Sequence, residues 1–219
     1  MAETTSTKNI STPNGTTFAY RRLDKSSSSN SVPLICHIHF RVSMDFWDPL
    51  FLDTLAADRK VIIFDNAGIS RSSGSVPTTF QGWADDLIAF VRSLGIKKFD
   101  LLGFSMGGVV VQYVALTVPH MVRKLIVAGS RAAAPIVHRN VKPGGFAIEM
   151  ERAPHEPIEK LRTSVGEEEE KKSLCYSFFA HTRAGKADFE EYWTRLHECK
   201  VGGEELNLRL LDRDAGAHY

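Results

Sequence analysis

The sequence predicts an α/β fold, a mostly parallel sheet with crossover helices followed by a helical region. Three observations predict it. Short apolar, β-branched runs alternate with amphipathic helical windows over the first 130 residues, the pattern of successive βαβ units. One such run, Phe99 to Leu102, leads through Gly103-Phe104-Ser105-Met106-Gly107 into the helix-compatible stretch Val109 to Val118. Beyond Ser130 no comparable strand-like run appears, and Pro, Gly and Ala give way to helical stretches.

Taken in order, Thr16 to Leu23 reads as an early antiparallel strand and Asp24 to Ser31 as a serine-rich loop. Val32 to His39 is a strand; after it, Met44-Asp45-Phe46-Trp47-Asp48-Pro49 reads as a loop and helix start. Lys60 to Asp65 is a further strand, followed by the loop Asn66 to Gly74. Phe80 to Leu94 is an amphipathic helix with Trp83, Leu87, Phe90, Val91 and Leu94 on one face, closed by Gly95. A last strand runs through Ile126 to Ala128. The runs at 34–39, 61–64, 99–102 and 125–128 are expected to lie side by side and parallel, with Ser105 at their carboxyl edge. After Arg131 to Pro157, helices are expected at Ile158 to Val165, Glu167 to His181, Lys186 to His197 and Glu204 to Asp212. In the second of these, Glu167 to Glu170 precede Lys171 and Lys172, an order that complements the helix dipole and reads as a solvated face.

Composition narrows the function. Among 219 residues, 27 basic and 26 acidic side chains leave a net charge of +1, which gives no electrostatic case for nucleic acid or an anionic membrane. With 43% hydrophobic residues the chain can bury a substantial core. No apolar window reaches the roughly 18 residues of a membrane span and the first residues are polar, so an intracellular, cytoplasmic protein is expected. Cys36, Cys175 and Cys199 are widely spaced and odd in number; they suggest neither a disulfide framework nor a metal site. Cys36 reads as a core residue.

The chemistry lies in the stretch around Ser105. A strand, a tight turn carrying a serine and a helix make a nucleophile elbow, in which small neighbours let strand and helix approach. With Gly and Ser each at about 7% of residues, a bare G-x-S-x-G arises by chance in roughly one chain in a dozen of this length, and the flanking pattern lowers that further. Two other segments stand in the order such a site needs: His37-Ile38-His39-Phe40-Arg41-Val42-Ser43 with its M-D-F-W-D-P continuation, and Phe64-Asp65-Asn66-Ala67-Gly68-Ile69-Ser70-Arg71-Ser72-Ser73-Gly74.

On these three segments the chain resembles the α/β-hydrolase superfamily over residues 8 to 130, and within it the esterase, non-haem haloperoxidase-like branch. The H-F-R and M-D-F-W-D-P wording is similar to hydrolases of fungal secondary-metabolite clusters, including the AK-toxin type. The resemblance implies an α/β-hydrolase core over 1–130, a helical cap over 131–205 and a truncated tail over 206–219. It also implies a serine hydrolase of the esterase or thioesterase kind acting on a small acyl substrate, with Ser105 as nucleophile and the amides of Phe40 and Met106 as oxyanion hole, and without cofactor or metal.

The superfamily's acid and histidine follow later strands, and no such strands are read here. Asp212, Asp214 and His218 fall in the tail, His138, His155, His181 and His197 in the cap span, and position 131 is an arginine. His37 and His39 flank the oxyanion loop and are expected to order its backbone. The alternative is therefore a catalytically impaired protein of the same fold, with short nitrophenyl esters turned over at no more than a trace above a Ser105→Ala control. Val42 and Ser70 stand where the look-alikes carry glycine, so distortion is expected in either loop. A shortened sheet is also expected to leave an unpaired edge.

Overall fold

β-branched residues with few polar interruptions form strands buried on both faces, and the described chain is organised around them. The structure, a computed structural model, describes residues 6–24, 32–39, 42–133, 155–201 and 204–208. Six strands form one sheet: β1 (Lys8–Ser11), β2 (Thr17–Leu23), β3 (Leu34–His37), β4 (Val61–Phe64), β5 (Phe99–Phe104) and β6 (Val122–Ala128). Their order is β1-β2-β4-β3-β5-β6. β2 runs antiparallel to β1 and β4, whereas β4, β3, β5 and β6 are parallel neighbours. The four expected strands are thus adjacent and parallel. β5 and β6 run longer than their apolar runs, because the ladder continues through Gly103 and Phe104 and takes in Arg123 and Lys124. The register sets Cys36 beside Leu102, His37 beside Gly103 and Phe104 beside Ala128.

Helices flank the sheet. α1 (Pro49–Ala56) starts with Pro49 after Asp48, whose carboxylate accepts from the Leu50 amide at 2.9 Å. α2 (Phe80–Ser93) is capped by the Thr79 hydroxyl on the Gly82 amide and buries the predicted face of Trp83, Leu87, Phe90 and Val91. Gly95 follows at φ +71°, where a side chain would be strained. α3 (Met106–Thr117) buries Val110, Val111 and Val114 in the core with Phe18, Ile35, Phe90, Phe99 and Leu101. Cys36 lies in that sheet, and burial pushes its thiol up to about 12.

Three further helices follow, α4 (His155–Thr163), α5 (Glu167–Phe178) and α6 (Arg183–Glu198). α5 opens with Glu167 to Glu170, and Lys172 pairs with Glu168 at 3.1 Å on an exposed face, as the charge order suggested. The chain divides into two compact units, 1–133 with 192–219, and 134–191. The end of α6 groups with the sheet: Arg195 donates two hydrogen bonds to the Asp48 carboxylate, at 2.9 and 2.7 Å, and the Tyr192 hydroxyl donates to the Phe46 carbonyl at 2.9 Å. The helix expected over Glu204 to Asp212 is not found at its start. Lys200–Val201 (β7) pairs antiparallel with Glu204–Glu205 (β8), for which the intervening Gly-Gly pair in the sequence is a hairpin signal.

β6 is the edge opposite β1. Leu125, Ile126 and Val127 are each about 40% exposed there. No helix among the described residues is long and apolar enough to cross a membrane.

Candidate active site

The turn from β5 to α3 begins at a glycine because nothing larger fits. A Cβ on Gly103 would come within 2.6 Å of both the Gly107 carbonyl carbon and a Val111 methyl. A Cβ on Gly107 would lie 2.6 Å from the Ile38 carbonyl oxygen and 2.7 Å from His37 Nδ1. Both approaches are closer than any Cβ tolerates, and between them Ser105 adopts φ 55°, ψ −121°. Among the described residues only Ser70 and Ser105 are non-glycine residues with positive φ. The Ser105 conformation is held from both sides, its amide donating to Ala128 O and its carbonyl accepting from Gly108 N, each at 2.9 Å. Its side chain caps no helix amide and makes no hydrogen bond among the described residues. The first helical residue is Met106, whose amide has no acceptor within the helix and stands at the positive end of its dipole.

Beside the elbow, β3 ends in a buried histidine. His37 Nδ1 contacts the Ile38 carbonyl at 3.0 Å, and its ring packs edge-on to Phe64 and against Trp83. Burial pushes its pKa down to about 4, against smaller opposing effects of the Ile38 carbonyl and the Asn66 side chain, so the imidazole is neutral at pH 7. The His39 ring lies edge-on to Phe104 with centroids 5.7 Å apart.

The loops after β3 and β4 are joined by a buried charge network that the sequence did not announce. Asp45 is buried; Arg21 Nη1 lies 2.6 Å from its Oδ1, and Arg71 Nη1 donates to its Oδ2 at 2.8 Å. Asp65, also buried, accepts from the Met44 amide at 2.8 Å and the Arg71 amide at 3.2 Å. Burial pushes the Asp65 carboxyl up to about 6, with the Asp45 charge adding to it while the two amides and Arg71 oppose. The Asn207 amide donates to Asp45 Oδ2 at 2.6 Å, its carbonyl accepts from Ser43 Oγ at 3.0 Å, and its Nδ2 donates to Ser70 Oγ at 3.1 Å. The residues involved lie far apart in sequence; the available signal was a charged residue set among apolar and aromatic neighbours, Arg21 after Phe18-Ala19-Tyr20 and Asp45 between Met44 and Phe46.

The two positions where glycine was expected differ. Ser70 takes φ 50°, the conformation for which glycine is suited, while Val42 is buried and does not. Phe40 lies outside the described residues, as do His138, Asp212, Asp214 and His218. In the helical span, His181 Nε2 contacts Tyr176 O and His197 Nδ1 contacts Trp193 O, each at 2.8 Å. Among the described residues no group of His, Cys, Asp or Glu forms a metal-binding cluster.

A strand, strained serine and helix at the carboxyl edge of a parallel sheet define a class, and comparison with known proteins gives the same one. The family model described as alpha/beta hydrolase fold matches residues 34–150, and the chain belongs to that family. An alpha/beta hydrolase fold protein from Chitinophaga pinensis is 31% identical with a TM-score of 0.74, over 99% of this chain and 70% of that one. The esterase RhEst1 from Rhodococcus sp. ECU1013 shares the fold at 21% identity and TM-score 0.60, over 87% of this chain and 68% of its own. Putative carbamate hydrolases named RutD are similar over a shorter stretch. That of Rhizobium rhizogenes is 31% identical over 94 residues, 42% of this chain and 36% of its own length, and that of Serratia proteamaculans is 34% identical over 84 residues, 37% and 31%. The matches thus span about a third of these curated relatives.

Proposed function

We propose that the chain is a serine hydrolase of the esterase or thioesterase kind, with Ser105 as nucleophile, acting on a small acyl substrate. The observation that carries this is the Ser105 backbone at φ 55° between two glycines that admit no Cβ, a strain that persists only where the surroundings enforce it. In this reading the acyl group passes to Ser105 Oγ, the leaving alcohol, thiol or amine departs with the serine proton, and water then releases the acid and restores the hydroxyl. The Met106 amide, with that of Phe40, holds the oxyanion; each such donor is worth about 10² to 10³ in rate. The RutD relatives add small carbamates to the candidate substrates. The cap role of the helical span, and a place in secondary metabolism of the AK-toxin type drawn from the M-D-F-W-D-P wording, belong to the same proposal.

A second reading, a catalytically impaired member of the family, is favoured by one observation: among the described residues nothing hydrogen-bonds to the Ser105 side chain. Loss of the base in a serine triad costs about 10⁶ in rate, so the two readings differ measurably. Purified protein is assayed on nitrophenyl acetate, a short acyl thioester and a small carbamate beside Ser105→Ala. Turnover lost in the variant supports the hydrolase; turnover within a trace of the variant on all three returns the second reading.

A further inference from the structure

Three features at the carboxyl edge point to one device. The loop after β3 starts at the elbow, where the Ile38 carbonyl lies against the position a Gly107 Cβ would occupy. Its far end is pinned by Met44 and Asp45 to the loop after β4, through the Asp65 carboxylate and Arg71. A single residue from the far end of the described chain, Asn207, then bonds to Ser43, Asp45 and Ser70 together, using its amide, carbonyl and side chain. Beside the ion pair lies a small cavity lined by Arg21, Asp45, Trp47, Leu52, Cys199 and Leu206.

We propose that Asp45 is a positioning residue for the Ser105 site and Asn207 its clasp, together holding residues 43–46 and 65–71 as one wall beside the elbow. The proposal rests on the reading of Ser105 as nucleophile. Asp45 suits the task because its carboxylate engages three different segments at once, an ion pair with Arg21 and hydrogen bonds accepted from Arg71 and the Asn207 amide, which neither a serine nor an asparagine can do with equal charge compensation. Two arginines and two aspartates make the cluster neutral as a set, so removing one carboxylate leaves a buried guanidinium without its counter-charge. Asn207 is the gentler point of attack, since proline there deletes two donors, the backbone N–H to Asp45 and Nδ2 to Ser70, and leaves every buried charge in place.

The groups facing Asp65 are Asp45, Arg71 and the Met44 amide, with Arg21 behind Asp45. Because the Asp45 charge raises the Asp65 carboxyl, neutralising Asp45 moves the Asp65 titration to lower pH. The appearance of that shift in the pH dependence of Ser105 labelling is a readout a merely structural role does not produce.

The test uses the full chain and a fluorophosphonate probe whose rate of reaction with Ser105 is followed against probe concentration and pH. In Asn207→Pro and in Ser43→Ala the maximal labelling rate is expected to fall about tenfold with the half-saturating concentration within twofold, while the melting temperature barely moves. In Asp45→Asn a larger fall is expected, and the step in the pH profile expected near pH 6 for wild type is expected to move to lower pH. Unchanged labelling in Asn207→Pro overturns the proposal, as does a loss confined to the half-saturating concentration. If Asp45→Asn does not fold, Asn207→Pro and Ser43→Ala decide alone. A wild type that takes no label overturns the nucleophile reading and the positioning role with it. The clasp is then decided separately by hydrogen exchange: faster exchange at residues 43–46 and 70–72 in Asn207→Pro supports it, and unchanged exchange overturns it.

Discussion

Ser105 holds a conformation that costs of order 1–3 kcal/mol, and the contacts enforcing it are glycines, backbone carbonyls and two backbone hydrogen bonds. Gly103→Ala is accordingly expected to destabilise the protein by more than about 2 kcal/mol, read from denaturant unfolding, because the new methyl meets the α3 backbone rather than a side chain that can swing away. Asp65 supplies a second test. Its folded-state pKa is raised from 3.8 to about 6, so between those values the folded protein holds a proton that the unfolded chain releases, and the group's contribution to stability is lost as pH rises through that window. Asp65→Asn therefore gains on wild type by about 2 kcal/mol between pH 4 and pH 6. His37 acts with opposite sign: its pKa is lowered from 6.5 to about 4, so its contribution is present above 6.5 and lost as pH falls toward 4, in variant and wild type alike. At this scale the elbow was legible, since small residues around a serine leave a local signature. The Asp45 network was not, because its members at positions 21, 45, 65, 71 and 207 meet only after the sheet has formed.

Elements were legible where periodicity is strong. The β4 run at 61–64 and the α2 window at 80–94 match their observed spans within one residue, as uninterrupted β-branched and amphipathic stretches should. Boundaries slipped where polar residues join a ladder, as at Arg123 and Lys124 in β6, where Arg123 binds the Asp100 carboxylate through two hydrogen bonds at 2.8 Å. The helix expected from Glu204 failed because acidic residues in a good helical window were outweighed by hairpin pairing with Lys200–Val201. The β6 edge carries its own prediction. Three adjacent apolar residues near 40% exposure, paired among the described residues on the β5 side, are expected to favour self-association of this chain. Ile126→Lys is expected to lower the concentration-dependent mass measured by light scattering, whereas a wild type that stays monomeric at every concentration would count against an available edge.

For the molecule as a whole, the order of strands, crossover helices and serine turn was enough to reach the family, because a parallel sheet with right-handed crossovers leaves few topologies open. The division into units at 133/134 and 191/192 was not legible, since the side chains that draw Tyr192 and Arg195 to the sheet unit bond to Phe46 and Asp48, almost 150 positions away. The central claim is that this chain presents Ser105 as a reactive nucleophile. Incubation with a fluorophosphonate followed by peptide mass spectrometry tests it most directly: the account predicts one phosphonylated peptide carrying the adduct on Ser105 and none in Ser105→Ala, whereas an unmodified Ser105, or labelling that survives the substitution, would contradict it.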